Sequence, residues 1–522
     1  MFQRRVMVDA PVLSCLVILS FLAFYNSSFW AKTYPLVTWP YLIAVGLIAA
    51  CIMFGAFTIA TTKYTYKPFV IFAFFVAALS SYAMDNYGYI ISPEAIKNIL
   101  QTDAHESYDL MSWRLAGYIV VYFLAPSLLV LLIKVRYPSF KIVALNFILC
   151  AILAFGNILL FGRYFSTFFR NHKQIKYFVN PIRPIYSAIK YTVITLQPGV
   201  AREFLELDSN PSRVATAGKP KLVVLVVGES DRAKNQQLNG YQRATNPLLS
   251  TRSDVYSFNN FYACGTDTTI SVPCMFSVYK REDYTDRKAL YTENVLDLLQ
   301  KSKVQVLWRD NDSGCKDVCN RVETQDFTEA DIKPFCNGFE CHDEVLLHNL
   351  QHHLDTNVQD KLIVLHKKGN HGPAYYKRYP DKFAQFTPTC NTNELHKCSD
   401  EEIINTYDNI ILYTDFFLDR VINHLETRND KYQTALIYVS DHGESLGEKG
   451  IYLHAMPYWV APKEQIHVPF FFWSSPDFAV DRARLSAIQD KEFSHDHIFH
   501  TLLGLFGVQT VAYSQELDMF VS

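Results

Sequence analysis

Five apolar stretches fill the first third of the chain, at roughly 10–27, 39–61, 68–84, 113–133 and 142–161. Each is close to the ~20 residues that an α-helix needs to cross the hydrocarbon core of a bilayer. A backbone in lipid has to satisfy its own hydrogen bonds, so these stretches predict transmembrane helices. Arg4 and Arg5 ahead of the first stretch resemble the start of a signal peptide, but no convincing small-residue cleavage site follows and further stretches come after it. The first stretch therefore reads as a retained anchor. Arg4 and Arg5, then Lys63 and Lys67, then Lys134, Arg136 and Lys141 fall on one face of five successive crossings. Basic residues mark the cytoplasmic face, so the remainder of the chain is expected on the outer side of an inner membrane, in the periplasm.

Cysteine usage bears on the same point independently. Of the 11 cysteines, Cys15, Cys51 and Cys150 sit in apolar stretches as small hydrophobes, while the rest come in close couples: Cys264 and Cys274, Cys315 and Cys319, Cys336 and Cys341, Cys390 and Cys398. Close couples suit local disulfides in an oxidising compartment. Eight cysteines allow on the order of a hundred connectivities, so neighbour pairing is a preference that spacing alone does not prove. With 49% hydrophobic residues unevenly distributed, the chain reads as a membrane domain over 1–162, an interfacial bridging segment over 163–215 and a periplasmic catalytic domain over 216–522. The bridging segment sets Phe165, Phe168, Phe169, Tyr177, Phe178, Ile182, Tyr186 and Ile189 among basic residues. The loop from Tyr89 to Leu100 has helical spacing behind Pro93, and either a bilayer-surface helix or an ordinary loop helix fits it. A net charge of -2 gives no reason to expect nucleic acid, and there is no Gly-rich phosphate loop or dinucleotide fingerprint.

Past residue 216 the pattern changes to short β-branched runs. Leu222-Val223-Val224-Leu225-Val226-Val227 runs into Gly228-Glu229-Ser230, and Leu436-Ile437-Tyr438-Val439 runs into Ser440-Asp441-His442-Gly443-Glu444. Continuous apolar runs of this kind suit strands of a parallel sheet covered on both faces, and such sheets bind ligands beyond the carboxyl ends of their strands. Further runs, Val304 to Trp308 and Leu362 to His366, with helical segments between them, predict an α/β/α sandwich. Glu229, Asp441 and His442 form a carboxylate and imidazole set that suits zinc with one position left open. The segment from Cys264 to Cys274 offers Thr266, Thr268, Thr269 and Ser271 as candidate nucleophiles, which coordination to zinc would activate; a polar turn clamped by a disulfide explains it equally well. Residue types alone do not choose among the four hydroxyls.

Gly228-Glu229-Ser230, the Cys264 to Cys274 loop, Gly369-Asn370-His371-Gly372-Pro373, the run from Ser440 to Glu448 and Tyr452-Leu453-His454 together resemble the signature set of the lipid A phosphoethanolamine transferases. That family includes the mobile colistin-resistance enzymes and sits within the alkaline phosphatase and sulfatase superfamily. The resemblance implies zinc held by Glu229, Asp441 and His442, with Thr268 as nucleophile and fourth zinc contact. It implies that His371 and His454 line the phosphoethanolamine site, as catalytic groups or as ligands of a second zinc, and that Lys316 binds substrate. It also implies an enzyme that takes phosphoethanolamine from phosphatidylethanolamine in the surrounding membrane lipids, passes it to a phosphate of lipid A, releases diacylglycerol and so confers resistance to polymyxins; a monomer is the expected state, although the sequence leaves oligomeric state open. Other acceptors (core sugar or glucan), other chemistries of the superfamily (phosphatase, sulfatase, phosphoglycerol transferase) and a non-catalytic zinc scaffold are the alternatives. Asp267, Asp231, Asp312 and Ala455 depart from the family pattern, and the carboxylate of Asp267 beside the nucleophile is expected to affect substrate fit or the metal. His352, His353 and His366 read as structural or surface residues.

Overall fold

The computed structural model describes residues 7–102, 104–172, 175–196, 203–213, 218–338, 340–355 and 357–521. The chain divides into two compact units, Met1–Leu100 with Met111–Gln197, and Gln101–Leu110 with Pro198–Ser522. In the first unit the longer helices are α1 (Ala10–Phe24), α2 (Trp39–Ile59), α3 (Tyr66–Tyr87), α4 (Pro93–Gln101), α5 (Trp113–Leu132), α6 (Phe140–Asn171) and α7 (Ile182–Leu196). Among the described residues, four segments are long and apolar enough to cross a membrane: α2, α3, α5 and the Phe140–Gly162 part of α6. The first stretch behaves differently. It breaks after Phe24 and resumes at Ser27 with a 60° bend, and counts as a fifth span only if the bent pair is taken as one. The cause is Asn26, whose buried amide donates to the carbonyls of Phe21 (2.9 Å) and Asn180 (2.7 Å) and whose carbonyl accepts the Asn180 amide (2.9 Å). A side chain that bonds to the backbone in this way competes with the helix ladder and interrupts it.

α6 runs through the expected boundary at 162–163 to Asn171, and the expected boundary at 215–216 lies outside the described residues, as does the Phe169 side chain. α7 leaves Tyr186, Ile189, Val193 and Leu196 exposed. The loop from Tyr89 to Leu100 forms α4 as its spacing suggests, with Ala95 buried and Ile99 and Leu100 exposed.

The second unit is built on a seven-stranded sheet: β1 (Lys221–Gly228), β2 (Val255–Ser257), β3 (Gln305–Asp310), β4 (Glu323–Asp326), β5 (Lys361–His366), β6 (Gln433–Ser440) and β7 (Phe470–Ser474). The order is β2-β7-β6-β1-β5-β3-β4. From β6 to β4 every neighbouring pair is parallel, whereas β7 runs antiparallel to both β6 and β2. Both faces of β1 are buried. Val223, Leu225 and Val227 enter one core, and Leu222, Val224 and Val226 enter the other. Burial of each such side chain contributes roughly 1.5–3 kcal/mol before chain entropy is counted, which is why a continuous β-branched run holds the central place in the sheet. Among the helices covering the sheet, α8 (Thr268–Met275) and α9 (Asp400–Glu426) matter most here. α9 starts on a reciprocal cap between Ser399 and Glu402 and buries Ile403, Tyr407, Ile410, Phe417 and Val421.

Candidate active site

Strand register brings the site together. β6 pairs with β1 along its whole length, Gln433 opposite Lys221 and Ser440 opposite Gly228, so Glu229 and Asp441 leave the sheet side by side. β5 ends with His366 opposite Val227 and β3 with Asp310 opposite His366, which carries the segments after these strands to the same edge. Close packing under the site leaves no room for side chains at two glycines. A Cβ on Gly228 would lie 2.6 Å from the Tyr438 hydroxyl, and one on Gly369, whose φ is +50°, would lie 2.8 Å from the Glu229 carbonyl. Gly369→Ala should therefore displace the Glu229 backbone. We expect a stability loss of roughly 1–3 kcal/mol and, since a misplacement near 1 Å can cost ~100-fold in rate, a fall in turnover of about that size, read from melting curves and initial rates on the same preparation.

Thr268 is the first residue of α8. Asp267 caps that helix, accepting from the backbone N–H of Ile270 and from the Thr269 hydroxyl. Helix capping accounts for the carboxylate that the sequence left as a departure beside the nucleophile. The Thr268 hydroxyl donates to Glu229 Oε2 (2.9 Å) and lies 3.4 Å from His442 Nε2. His442 Nε2 is 3.5 Å from Glu229 Oε1 and 3.3 Å from Asp441 Oδ2. Asp441 Oδ1 accepts the backbone N–H groups of Ser230 (3.1 Å) and His442 (2.6 Å), while its Oδ2, buried, has no hydrogen-bond partner among the described residues. An orphaned, buried carboxylate oxygen 3.3 Å from an imidazole nitrogen, with a second carboxylate on the same nitrogen, is chemistry that a cation such as zinc would satisfy. Glu229, His442 and His454 also offer ligand atoms within 4.8 Å of one another, as do Glu229, Asp312 and His371.

The electrostatics agree with a site built for a cation. Burial raises Glu229, but His442, His371 and His454 around it win and hold it well below the usual carboxylate range. Burial and the neighbouring charge of Glu229 push Asp441 well above it. Burial favours neutral His442, the form a metal ligand needs. His454 goes the other way: burial opposes its charge, yet Glu444 beside it (3.4 Å) raises it. His371 Nδ1 lies 3.3 Å from Glu229 Oε1, and its carbonyl accepts Arg378 Nε–H (2.8 Å), the guanidinium being neutralised by Asp109 and Glu340. His495 braces the nucleophile loop, accepting the Cys264 N–H on Nδ1 (3.1 Å) with Nε2 3.0 Å from the Ser440 carbonyl; burial lowers it to about 3, so it stays neutral.

The structure thus brings Glu229, Thr268, His371, Asp441, His442 and His454 into one buried cluster. Lys316, in the loop closed by the Cys315–Cys319 disulfide, stands apart from that hydrogen-bonded set: its ammonium donates to the carbonyl and hydroxyl of Ser313 just before the loop (2.7 Å each). All four neighbouring cysteine couples form disulfides. Asp231 lies buried under the site on Tyr438 and Gln236, and Asp312 stands within it. Glu444 and Asp310 escaped the sequence reading, although Glu444 lies inside a quoted motif. Its significance depends on His454 being folded back against it.

His366 is structural as expected, and it is also charged. Burial works against its proton, but Asp310 at 2.9 Å, with Asp312 behind it, raises it to about 9. A folded value above the ordinary 6.5 stabilises the fold fully below about 6.5, and the contribution disappears as pH rises through about 9. At ~1.4 kcal/mol per unit this is on the order of 3 kcal/mol. The melting temperature of the full chain in detergent should therefore fall between pH 7 and about 10, and His366→Gln should flatten that fall.

Comparison with known proteins places both units. A sulfatase family profile matches residues 221–508, and a profile for phosphoethanolamine transferase EptA/EptB matches residues 49–195. The chain is 39% identical to phosphatidylethanolamine transferase Mcr-1 of Escherichia coli, over 97% of this chain and 96% of that one. It is 37% identical to phosphoethanolamine transferase EptA of Escherichia coli K12, over 91% and 89% respectively. The solved integral membrane lipooligosaccharide phosphoethanolamine transferase A of Neisseria meningitidis superimposes with a TM-score of 0.94 at 35% identity, covering 99% of each chain.

Proposed function

The chain belongs to the phosphoethanolamine transferase family, and from that premise we propose that it moves phosphoethanolamine from phosphatidylethanolamine onto a phosphate of lipid A, at the periplasmic face of the inner membrane. The observation that carries this reading is the Thr268 hydroxyl held at 2.9 Å by Glu229 among Asp441, His442, His371 and His454. These residues suit a double displacement. Glu229, kept ionised by its histidines, accepts the Thr268 hydrogen bond and aims a lone pair of Oγ1 outward. Attack on phosphorus forms the bond to Thr268 as its hydroxyl proton passes to Glu229, and breaks the bond to diacylglycerol, whose oxygen takes a proton as it leaves. His454 is suited to give it, because Glu444 favours its charged form. In the second displacement a lipid A phosphate oxygen attacks the same phosphorus, and Thr268 Oγ1 leaves and takes its proton back from Glu229, while His454 is reprotonated from water. Zinc held by Glu229, Asp441 and His442 would lower the hydroxyl pKa and neutralise charge on the transferred group.

The same reading places Lys316 at the substrate, residues 163–215 in the lipid interface and a single chain as the working unit. The product sets an ammonium group beside a lipid phosphate, which weakens the attraction of that surface for polycationic peptides and so gives polymyxin resistance. The test is mass spectrometry of lipid A from cells that make the chain. A mass gain of one phosphoethanolamine is the expected result. Unmodified lipid A from cells holding folded, zinc-loaded protein would remove the acceptor assignment and send the search to core sugars and small phosphate esters.

A further inference from the structure

α3 carries an acid where lipid discourages one. Asp85 lies in the last turn of that helix, two residues before its end at Tyr87. α3 starts beside Lys63 and Lys67 on the cytoplasmic face, so Asp85 stands near the periplasmic end. A carboxylate there faces the negative end of its own helix, and a charged group within a membrane segment calls for a partner or a ligand. Among the described residues its partners are hydroxyls alone. Oδ1 accepts from Ser27 (2.6 Å) and Ser28 (2.5 Å), where the first stretch resumes after its bend, and Oδ2 accepts from Tyr118 at 3.3 Å. A carboxylate has room for about four donors, and this one has three, the last of them long. The nearby cations are placed elsewhere. Lys32 lies over the Phe178 ring (5.0 Å), and Arg114, one turn before Tyr118 on α5, is exposed and makes no ion pair among the described residues.

These groups line one recess. Phe24, Ser27, Ser28, Asp85, Tyr118 and Tyr122 surround a cavity of about 550 Å³ within the first unit, a size suited to a small ligand or a lipid headgroup. Phe24 is 64% exposed and Ser27 is exposed beside it, so the recess can be reached from outside the helices. The rings of Tyr118 and Tyr122 stand 5.1 Å apart on α5. A carboxylate, hydroxyl oxygens and two tyrosine rings together offer an ammonium group an ion pair, N–H acceptors and cation–π contact. Asp85 and Arg114 both lie close enough to the Tyr118 hydroxyl to act on it by charge, an acid and a base set to complement a zwitterion. We infer that this recess binds the headgroup of phosphatidylethanolamine from the periplasmic leaflet, with its primary ammonium on Asp85 and its phosphate toward Arg114. Glycerol headgroups bring no cation, and a trimethylammonium brings no N–H for the oxygens. A lipid captured here raises the local concentration of phosphatidylethanolamine at the protein. The site lies wholly in the membrane unit and needs no chemistry at Thr268, so it stands or falls apart from the transfer reading. The competing role for Asp85 is to brace the bend. An amide separates the two roles, since its oxygen still accepts from Ser27 and Ser28 while the charge is gone.

Photolabelling tests the site. The full chain carrying Thr268→Ala, chosen so that the lipid is not consumed, is irradiated in detergent with phosphatidylethanolamine bearing a diazirine near the glycerol end of one acyl chain, then digested. Adducts are expected on peptides from 10–36 and 113–132. Unlabelled phosphatidylethanolamine should compete them away, and phosphatidylglycerol and phosphatidylcholine should do so at least ~10-fold less well. Asp85→Asn in the same background, melting as its parent does, should lower the labelling of these peptides by roughly tenfold or more. Absence of adducts on both peptides, or unchanged labelling in Asp85→Asn, would overturn the proposal, the second outcome leaving Asp85 as a brace. Equal competition by phosphatidylglycerol would make the recess a bed for acyl chains, and equal competition by phosphatidylcholine would remove the primary ammonium; either overturns it. The competition series depends on the folding of no Asp85 variant. Adducts on peptides from 216–522 report binding in the other unit, so their loss with membrane-unit labelling intact would count against the transfer reading alone.

Discussion

Thr268→Ala should abolish transfer: lipid A from cells expressing it should carry no added phosphoethanolamine at matched membrane abundance, and turnover of purified protein should fall by about 10⁴-fold or more. The size of the effect follows from what the hydroxyl does. It is the group to which phosphorus is bonded between the two displacements, so nothing in the cluster replaces it. The fold hardly notices the change. Deleting the hydroxyl removes one hydrogen bond to Glu229 Oε2, worth about 1 kcal/mol, while Asp267 still caps α8. Thr268→Ser keeps the oxygen and frees its rotation, and should retain activity within roughly tenfold of the wild type. Digestion of protein quenched during turnover should yield a peptide containing Thr268 heavier by one phosphoethanolamine, absent from the Ala variant. Transfer by Thr268→Ala at a hundredth of the wild-type rate or more would hand the nucleophile to another hydroxyl. Thr266, which donates to the Met456 carbonyl, and Ser271, which donates to that of Asp441, both have their protons committed to backbone.

How far the sequence reached depended on what each reading required. β1 and β6 were legible because period, β-branching and length agree, and a parallel sheet puts whatever follows such strands at one edge. That is enough to pair Glu229 with Asp441 from residues more than two hundred positions apart. The spans α2, α3, α5 and α6 were legible from hydropathy, since lipid imposes a length and a polarity. Hydropathy says nothing of a single Asn that bends the first stretch, because that depends on Asn180 arriving from elsewhere in the chain. The choice of Thr268 among four hydroxyls came from family resemblance. The structure adds a geometric reason, the bond to Glu229, that spacing cannot supply. Asp267 shows the converse. A carboxylate beside a nucleophile looks disruptive in a one-dimensional reading, and in three dimensions it is an N-cap. Glu444 and the Asp310 partner of His366 could be found only in the fold, since each matters through a histidine brought to it by a separate strand or loop.

Asp441→Asn should strip the zinc site while leaving the loop in place. Oδ1 accepts two backbone N–H groups, and an amide oxygen can still do so. The replaced atom is Oδ2, the buried oxygen with no hydrogen-bond partner among the described residues, and an NH₂ group there offers no lone pair and faces His442 Nε2 at 3.3 Å. Zinc affinity should drop by at least ~100-fold and transfer should become undetectable. Activity alone would not separate a missing ion from a distorted loop, so the discriminating measurement is the stabilisation that zinc confers. An ion bound only by the folded state adds RT ln(1 + [L]/Kd), about 2.7 kcal/mol at a hundredfold excess over Kd, which raises the melting temperature of the wild type by several degrees. The variant should melt near the zinc-free wild type and show no upward shift at the same zinc concentration. It could melt higher than the zinc-free wild type, because burial and the charge of Glu229 both disfavour a carboxylate at this place, pushing Asp441 well above its ordinary range, and a neutral amide suits it better. A variant that melts far below it would mean that Asp441 is principally a brace for Ser230 and His442. A variant that retains the full zinc-induced shift would mean that the ion is held by Glu229, His442 and His454, the other set whose ligand atoms converge within 4.8 Å.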